Sequence, residues 1–490
     1  MTRAPLFFAL TLLFAASLEA QRPQEPVRPY PYLEDRLVFD NPRAEGVRLA
    51  GTLTLPEGDG PFPAVVLVSG SGAQDRNEAL EGHKPFLVIS DYLTRRGIAV
   101  LRYDDRGAFQ STGDFAAATT EDLATDALAA VEYLGSRPEI DPAHIGIVGH
   151  SEGGLIAPMV AVQSPAVAFI VLLAGPGLTG EEILYMQQAL IFADLGANEA
   201  AIAFNLTRNE LFYSVLKEEP DNALAEERLR QIWSDYLAGK IVPEGLSDDD
   251  KEPILAELAA LTENDKAEAT RVGFEPLLRN FLVPWFRFFL TYDPSLTLRQ
   301  VQVPILAMNG DKDLQVPGRE NLAAIEAALR QGGNSDFSIV ELPNLNHLFQ
   351  TSETGSLTEY ATIEETFAPA ALEVLGTWIA AHTTTATAVV EARSDDFPTD
   401  FGLVQNYPNP FNGQTLIPFG LVQAGPVELS VYNGLGQKVV TLASGMRTAG
   451  TYTLYWDGRD AWGRPLASGM YLYKLETPEW TQTRQLLLLR

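Results

Sequence analysis

Gly149-His150-Ser151-Glu152-Gly153 follows the apolar run His144-Ile145-Gly146-Ile147-Val148 and precedes a helix-forming stretch, Gly154-Leu155-Ile156-Ala157-Pro158-Met159-Val160. A strand that turns sharply into a helix strains the backbone of its corner residue and lifts that side chain above the sheet. Glycines two residues to either side let neighbouring elements approach without a clash. Ser151 is therefore expected at the carboxyl edge of a parallel sheet, with the next N–H at the positive end of a helix. The same pentapeptide in an ordinary loop would carry no chemistry. The strand before it and the helix after it separate the two readings.

Two later loops complete the pattern. Val303-Pro304-Ile305-Leu306-Ala307-Met308 reads as a buried strand and runs into Asn309-Gly310-Asp311-Lys312-Asp313. Phe337-Ser338-Ile339-Val340-Glu341-Leu342 reads as another strand, followed by Pro343-Asn344-Leu345-Asn346-His347. The chain order serine, acid, histidine is that of α/β-hydrolases. A serine hydroxyl needs an adjacent base, and only His83, His144, His150, His347 and His382 are available. His150 neighbours Ser151, but a nucleophile turn points adjacent side chains apart. His144 opens a strand, His382 ends a helix, and His83 in an early loop suits a structural role. His347 is the base by position and elimination. Asp313 is preferred to Asp311 as its orienting acid, leaving Asp311 to brace the turn. For the oxyanion, the Glu152 N–H is one expected donor and the Ser71 N–H the other. Ser71 lies in Ser69-Gly70-Ser71-Gly72 after the strand Ala64-Val65-Val66-Leu67-Val68.

From about Leu37 to His382 the chain resembles bacterial α/β-hydrolase esterases of the EstD kind. The stretches that carry the resemblance include Ser69-Gly70-Ser71-Gly72-Ala73-Gln74-Asp75-Arg76, Gly82-His83-Lys84-Pro85-Phe86, Leu101-Arg102-Tyr103-Asp104-Asp105-Arg106-Gly107 and Gly149-His150-Ser151-Glu152-Gly153-Gly154. Pro284-Trp285-Phe286-Arg287-Phe288-Phe289 and the Asp313 and His347 loops continue it. The resemblance implies hydrolysis of carboxylic esters without a metal or cofactor. Ala108-Phe109-Gln110-Ser111 departs from the relatives' pattern, and that loop is expected to border the substrate entrance.

The chain of 490 residues exceeds one typical domain. It has no cysteine, which excludes disulfides and thiol catalysis, and five scattered histidines disfavour a zinc cluster. The net charge of −29 disfavours nucleic acid and anionic membranes as partners, and is read as solubility or adaptation to salt. Arg3 ahead of the apolar stretch Leu6 to Ala16, with a small-residue end at Ala20, reads as a secretory signal peptide over 1–20. The protein is thus expected to be exported, without stable insertion in a membrane.

Strands near 48–55, 64–68, 98–103, 144–148, 167–173, 303–308 and 337–342, mostly separated by helical stretches, predict an α/β-hydrolase fold over 27–382. Its mostly parallel sheet is covered by helices on both faces. A long interval before Val303 holds helical runs near 181–195, 199–217, 223–238 and 252–269, then aromatics at Trp285, Phe286, Phe288, Phe289 and Tyr292. This predicts a helical cap at about 178–296 lying over Ser151. Thr383 to Pro398 reads as a linker. From 399 to 490, short alternating runs punctuated by Gly, Asn and Pro predict a small β-sandwich. Residues 400–490 resemble the C-terminal sorting domain of type IX secretion in Bacteroidetes-like bacteria, which implies that export machinery as a partner.

The leading expectation is an exported serine carboxylesterase acting on short to medium acyl esters through an acyl-enzyme on Ser151. A serine peptidase or aminopeptidase of the same fold is the alternative within enzymes. A surface-displayed adhesin or binding scaffold is the alternative outside them.

Overall fold

The computed structural model describes residues 22–383, 392–394, 402–412, 415–423, 425–447, 450–456, 458–460 and 466–489. The expected leader lies outside these residues, as does most of the expected linker.

Eight strands build the large sheet: β1 (Leu33–Asp40), β2 (Arg48–Leu55), β3 (Phe62–Val68), β4 (Ala99–Tyr103), β5 (Ile140–His150), β6 (Val167–Leu173), β7 (Ile305–Gly310) and β8 (Phe337–Leu342). Their spatial order is β1-β2-β4-β3-β5-β6-β7-β8. β2 is antiparallel to β1 and β4, whereas β3 pairs in parallel with β4 and β5, and β5 with β6. Val65, Val66, Val100, Ile147, Val148, Ile170 and Val171 are fully buried. Strands covered on both faces need such continuous apolar runs. Helices α1 (Pro85–Thr94), α2 (Thr120–Gly135) and α3 (Gly153–Gln163) make the crossovers β3→β4, β4→β5 and β5→β6. The architecture is the α/β-hydrolase fold. β1 is an addition to the sequence expectation, which began at β2.

Between β6 and β7 lie α4 (Gly180–Asp194), α5 (Glu199–Glu218), α6 (Asn222–Leu237), α7 (Asp248–Ala259), α8 (Glu263–Ala269), a π-helical turn (Thr270–Phe274), α9 (Glu275–Phe281), α10 (Pro284–Thr291) and α11 (Pro294–Leu298). Phe204, Phe212, Tyr213, Leu229, Trp233 and Phe274 form a separate apolar core in this insertion. The run expected as one helix over 252–269 is two. Thr262 starts α8 with a capping box, its hydroxyl accepting from the Asp265 N–H while Asp265 accepts from the Thr262 N–H. That reciprocal cap satisfies free helix-end donors and fixes a helix start inside an otherwise helical stretch. Helices α12 (Gly318–Gln331) and α13 (Pro369–Thr383) flank β8 in sequence.

The C-terminal strands are β9 (Ala392–Ser394), β10 (Gly402–Leu403), β11 (Thr415–Leu421), β12 (Gly425–Tyr432), β13 (Lys438–Arg447), β14 (Gly450–Trp456), β15 (Gly469–Glu476) and β16 (Thr481–Leu488). They form two four-stranded sheets, β10-β11-β14-β9 and β13-β12-β15-β16. Ile417, Phe419 and Leu421 in one sheet and Val427, Leu429 and Val431 in the other are buried at alternate positions in a common core. That period-2 pattern is what a small sandwich requires. By contact, the chain divides into two units. One comprises Met1–Val301, Met308–Gly332 and Glu341–Ala368; the other comprises Gln302–Ala307, Gly333–Val340 and Pro369–Arg490. Every residue of the site described next falls in the first unit.

Candidate active site

Ser151 sits between β5 and α3 with a φ of 51°, in the left-handed region. Its N–H donates to the Leu173 carbonyl at 2.8 Å, which fixes the corner against the end of β6. The flanking glycines are required by space. A Cβ on Gly149 would lie 2.0 Å from the Gly153 carbonyl oxygen, and one on Gly153 would lie 2.2 Å from the Val68 carbonyl oxygen. Any side chain at either position would push the helix off the sheet.

His347 and Asp313 are brought together from the loops after β8 and β7. Nδ1 of His347 lies 2.7 Å from Oδ2 of Asp313, and both side chains are buried. Oδ1 of Asp313 accepts from the N–H groups of Gln315 (2.8 Å) and Val316 (2.9 Å), which hold the carboxylate in one orientation. An acceptor at Nδ1 places the proton there and leaves Nε2 as the basic nitrogen. Ser151 and His347 line one cavity. Asp311 instead accepts from the Asn344 N–H at 2.6 Å and braces the turn before the histidine loop. His83 is buried, with Nδ1 3.0 Å from the Thr366 hydroxyl and Nε2 2.9 Å from the Tyr360 carbonyl. His150 turns away from Ser151, with Nδ1 2.9 Å from Oε1 of Glu78 and Nε2 3.0 Å from the His347 carbonyl.

Ser71 and Glu152 both line this cavity. Neither N–H donates to a protein acceptor among the described residues, so both are available to a ligand oxygen. The Ser69–Arg76 loop is held by three acids that sequence reasoning missed. Glu78 accepts from the Gly70 N–H (2.6 Å), and Asp104 accepts from the Arg76 N–H (2.9 Å). Asp105 accepts from the Ser69 hydroxyl (3.0 Å) and the Gln74 N–H (2.8 Å). Burial pushes the Asp105 carboxyl up to about 8, with the negative charges of Glu152 and Glu78 adding to the rise. Between the ordinary carboxylate range and that value the folded chain holds a proton that the unfolded chain has lost. Stability therefore falls as pH rises through this window. Asp105→Asn removes the titration, and amide oxygen and nitrogen can still serve the Gln74 N–H and the Ser69 hydroxyl. Relative to the parent, this variant should gain up to about 1.4 kcal/mol per pH unit from about pH 5 to 8. Urea unfolding at both ends of that range measures it, and a constant difference contradicts the buried-acid assignment.

The cavity has a volume of about 250 Å³. Ile183, Leu184 and Gln187 of α4 and Trp285 and Phe289 of α10 supply its cap-side wall. Trp285 and Phe289 stack at 5.3 Å between ring centroids. Trp285 Nε1 also donates to Oε1 of Glu152 (2.6 Å), which accepts from the Thr120 hydroxyl as well (2.7 Å). The side chain of Glu152, next to Ser151, thus joins the cap to the start of α2. Burial raises the Glu152 carboxyl, against hydrogen bonds from Thr120, Trp285 and Ser71 that favour its charged form. The aromatic patch divides in use: Phe286 packs into the cap core, and Trp285 and Phe289 face the cavity. The Ala108–Ser111 loop, expected at the entrance, is not among the residues lining the cavity. Instead Ser111 accepts from the Ala50 N–H at 2.9 Å, which ties that loop to β2.

The fold is that of the α/β-hydrolases, and it brings Ser151 and the His347–Asp313 pair to one end of the sheet. Residues 45–271 match the family model described as X-Pro dipeptidyl-peptidase (S15 family), and residues 411–479 match that of the FlgD Ig-like domain. Esterase EstD of Thermotoga maritima is 37% identical over 136 residues, which cover 28% of this chain and 32% of EstD. An uncharacterized protein of Mycobacterium tuberculosis is 33% identical over 126 residues, covering 26% of this chain and 41% of that one. The matched segments thus span less than half the length of these relatives. Among solved structures, Est1E of Butyrivibrio proteoclasticus with ferulic acid bound aligns at TM-score 0.36 and 16% identity, covering 70% of this chain and 96% of that one. Proline iminopeptidase of Mycobacterium smegmatis aligns at TM-score 0.41 and 15% identity, covering 71% and 99%.

Proposed function

We propose that the protein is a serine carboxylesterase with Ser151 as nucleophile, His347 as general base and Asp313 as the acid that orients it. The observation that carries this reading is the 2.7 Å pairing of His347 Nδ1 with Asp313, with the ring lining the same cavity as Ser151. In the first half-reaction Ser151 Oγ attacks the ester carbonyl carbon as its proton passes to His347 Nε2. The carbonyl oxygen becomes an oxyanion held by the Ser71 and Glu152 N–H groups. Collapse of that intermediate breaks the C–O bond, and the imidazolium returns the proton to the departing alcohol. Water, deprotonated by the same imidazole, then attacks the acyl-enzyme, releasing the acid and restoring Ser151.

The small cavity with its wall of Ile183, Leu184, Trp285 and Phe289 supports short to medium acyl groups. The similarity to EstD supports esters. A peptidase is the second reading, favoured by the S15 match over 45–271. p-Nitrophenyl esters of two to sixteen carbons, assayed beside aminoacyl anilides, separate the two. The expected result is a maximum near butyrate, with anilides cleaved far more slowly. Faster anilide cleavage than butyrate hydrolysis overturns the esterase reading.

The leader-like start supports export, and the turn-rich pattern over 399–490 supports the C-terminal module as a type IX secretion address. In a host with that system, a chain truncated after Ala392 is expected to stay in the periplasm. Delivery of the truncated chain outside the cell contradicts the address.

A further inference from the structure

The geometry points to Glu78 and His150 as a second carboxylate–imidazole pair that positions the catalytic groups through the three backbone segments it bridges. This inference rests on the serine-hydrolase reading above. Glu78 and His150 are 4% and 6% exposed; Glu78 lies in the loop after β3 and His150 ends β5, 72 positions further on. One Glu78 oxygen, Oε1, accepts from the Gly70 N–H (2.6 Å) and lies 2.9 Å from His150 Nδ1. Gly70 immediately precedes the proposed oxyanion donor Ser71, and His150 immediately precedes Ser151. The far side of the ring, Nε2, is 3.0 Å from the main-chain carbonyl of His347 itself. One side-chain pair therefore ties together the three backbone segments that must keep register during the reaction: the oxyanion loop, the nucleophile turn and the base loop.

The partners define the protonation state. A main-chain carbonyl only accepts, so Nε2 carries a proton. The Glu78 side also favours a proton on Nδ1, because its charge and hydrogen bond raise the His150 pKa, and the bridging ring is then an imidazolium. Burial alone would discharge it. The Glu78 charge and hydrogen bond, the His347 carbonyl and the Asp313 charge outweigh burial and hold its pKa above the ordinary histidine value. The titratable side chains acting on it are Glu78, His347 and Asp313. Phe86, Ile89, Leu173, Leu348 and Phe367 lie on one side, and on the other it borders the cavity shared with Ser151 and Glu152. Loss of the proton at alkaline pH removes one donor. The ring can then no longer hold both loops at once. The charged bridge thus gives turnover an alkaline limb.

Full-length Glu78→Gln, Glu78→Asp and His150→Gln, with Ser151→Ala as control, are assayed on p-nitrophenyl butyrate across pH. Active sites are counted by fluorophosphonate titration and folding is checked by thermal melts. For Glu78→Gln, kcat is expected to fall about 10²-fold, the scale of a misplaced catalytic group, with KM nearly unchanged. Its alkaline limb should move to lower pH because the imidazolium loses its counter-charge. Glu78→Asp should return the limb towards its original position, and it serves as the test if Glu78→Gln does not melt cooperatively. His150→Gln should lose the limb. Parental kcat in Glu78→Gln, an effect on KM alone, or superimposable pH profiles would overturn the pair's role. If Ser151→Ala is inactive while Glu78→Gln is unimpaired, only this inference fails. If Ser151→Ala stays active, the hydrolase reading itself fails.

Discussion

Replacing Ser151 with alanine should lower ester turnover by ~10⁴ or more while leaving the fold intact. Alanine offers the ester carbonyl no nucleophile, and the neighbouring groups cannot substitute for one. Water reaching the same cavity lacks the alignment that the turn gives Oγ. The effect on stability is small because the residue is only partly buried and the change removes one hydroxyl. Substitutions of that kind stay within about 0.5 kcal/mol. The strained backbone at φ 51° is imposed by the Leu173 carbonyl and the flanking glycines, so the mutation does not release it. Initial rates and a thermal melt on the same preparation check both halves. Residual activity within a hundredfold of the parent would remove Ser151 from the mechanism.

Asp313→Asn comes next, with an expected loss of ~10⁴ in kcat. Oδ1 can still accept from the Gln315 and Val316 N–H groups, so the loop keeps its shape. The new amide then turns an N–H₂ towards His347 Nδ1, which favours the tautomer with its proton on Nε2. That ring cannot take the serine proton. Asp311→Asn gives the contrast: its oxygen still accepts from the Asn344 N–H, and only a brace is weakened. A loss below tenfold is expected there. The reverse ranking would move the acid from position 313 to 311.

What the sequence discloses depends on the range of the interaction. β3 to β7 are legible because each holds a short apolar run between turns, the signature of a strand covered on both faces. β8 at the sheet edge mixes polar and apolar residues and is legible from its bounding turns. β1 is not: in Leu33-Glu34-Asp35-Arg36 three charged residues follow one leucine, and the strand lies at the edge of the sheet. The helical run near 252–269 breaks where Thr262 begins a new cap, a local signal outweighed by continuous helix propensity.

Within the site, Ser151, His347 and Asp313 could be proposed because their chemistry is bound to turn motifs and chain order. Ser71 followed from strand order and Glu152 from its place after Ser151 in the turn, both through their main-chain N–H groups and without reference to their side chains. Glu78, Asp105 and the Glu152–Trp285 contact had no such marker. Glu78 is a loop glutamate like many others until folding sets it beside His150, and Trp285 is 133 positions from its acceptor. Periodicity and motif reading sense neighbours along the chain. Such contacts are made only once the sheet and cap have assembled. The φ of 52° at Glu78, unusual for a side chain of that length, is visible only in the folded backbone.

The most direct test of the central claim is the site of covalent capture. The full-length protein is treated with a fluorophosphonate and its adduct located by peptide mass spectrometry. The expected result is one adduct per chain, on Ser151, formed more slowly when a slow-turnover ester is present and absent from His347→Ala over the same interval. An unmodified chain, or an adduct on another serine with Ser151 untouched, would contradict the account.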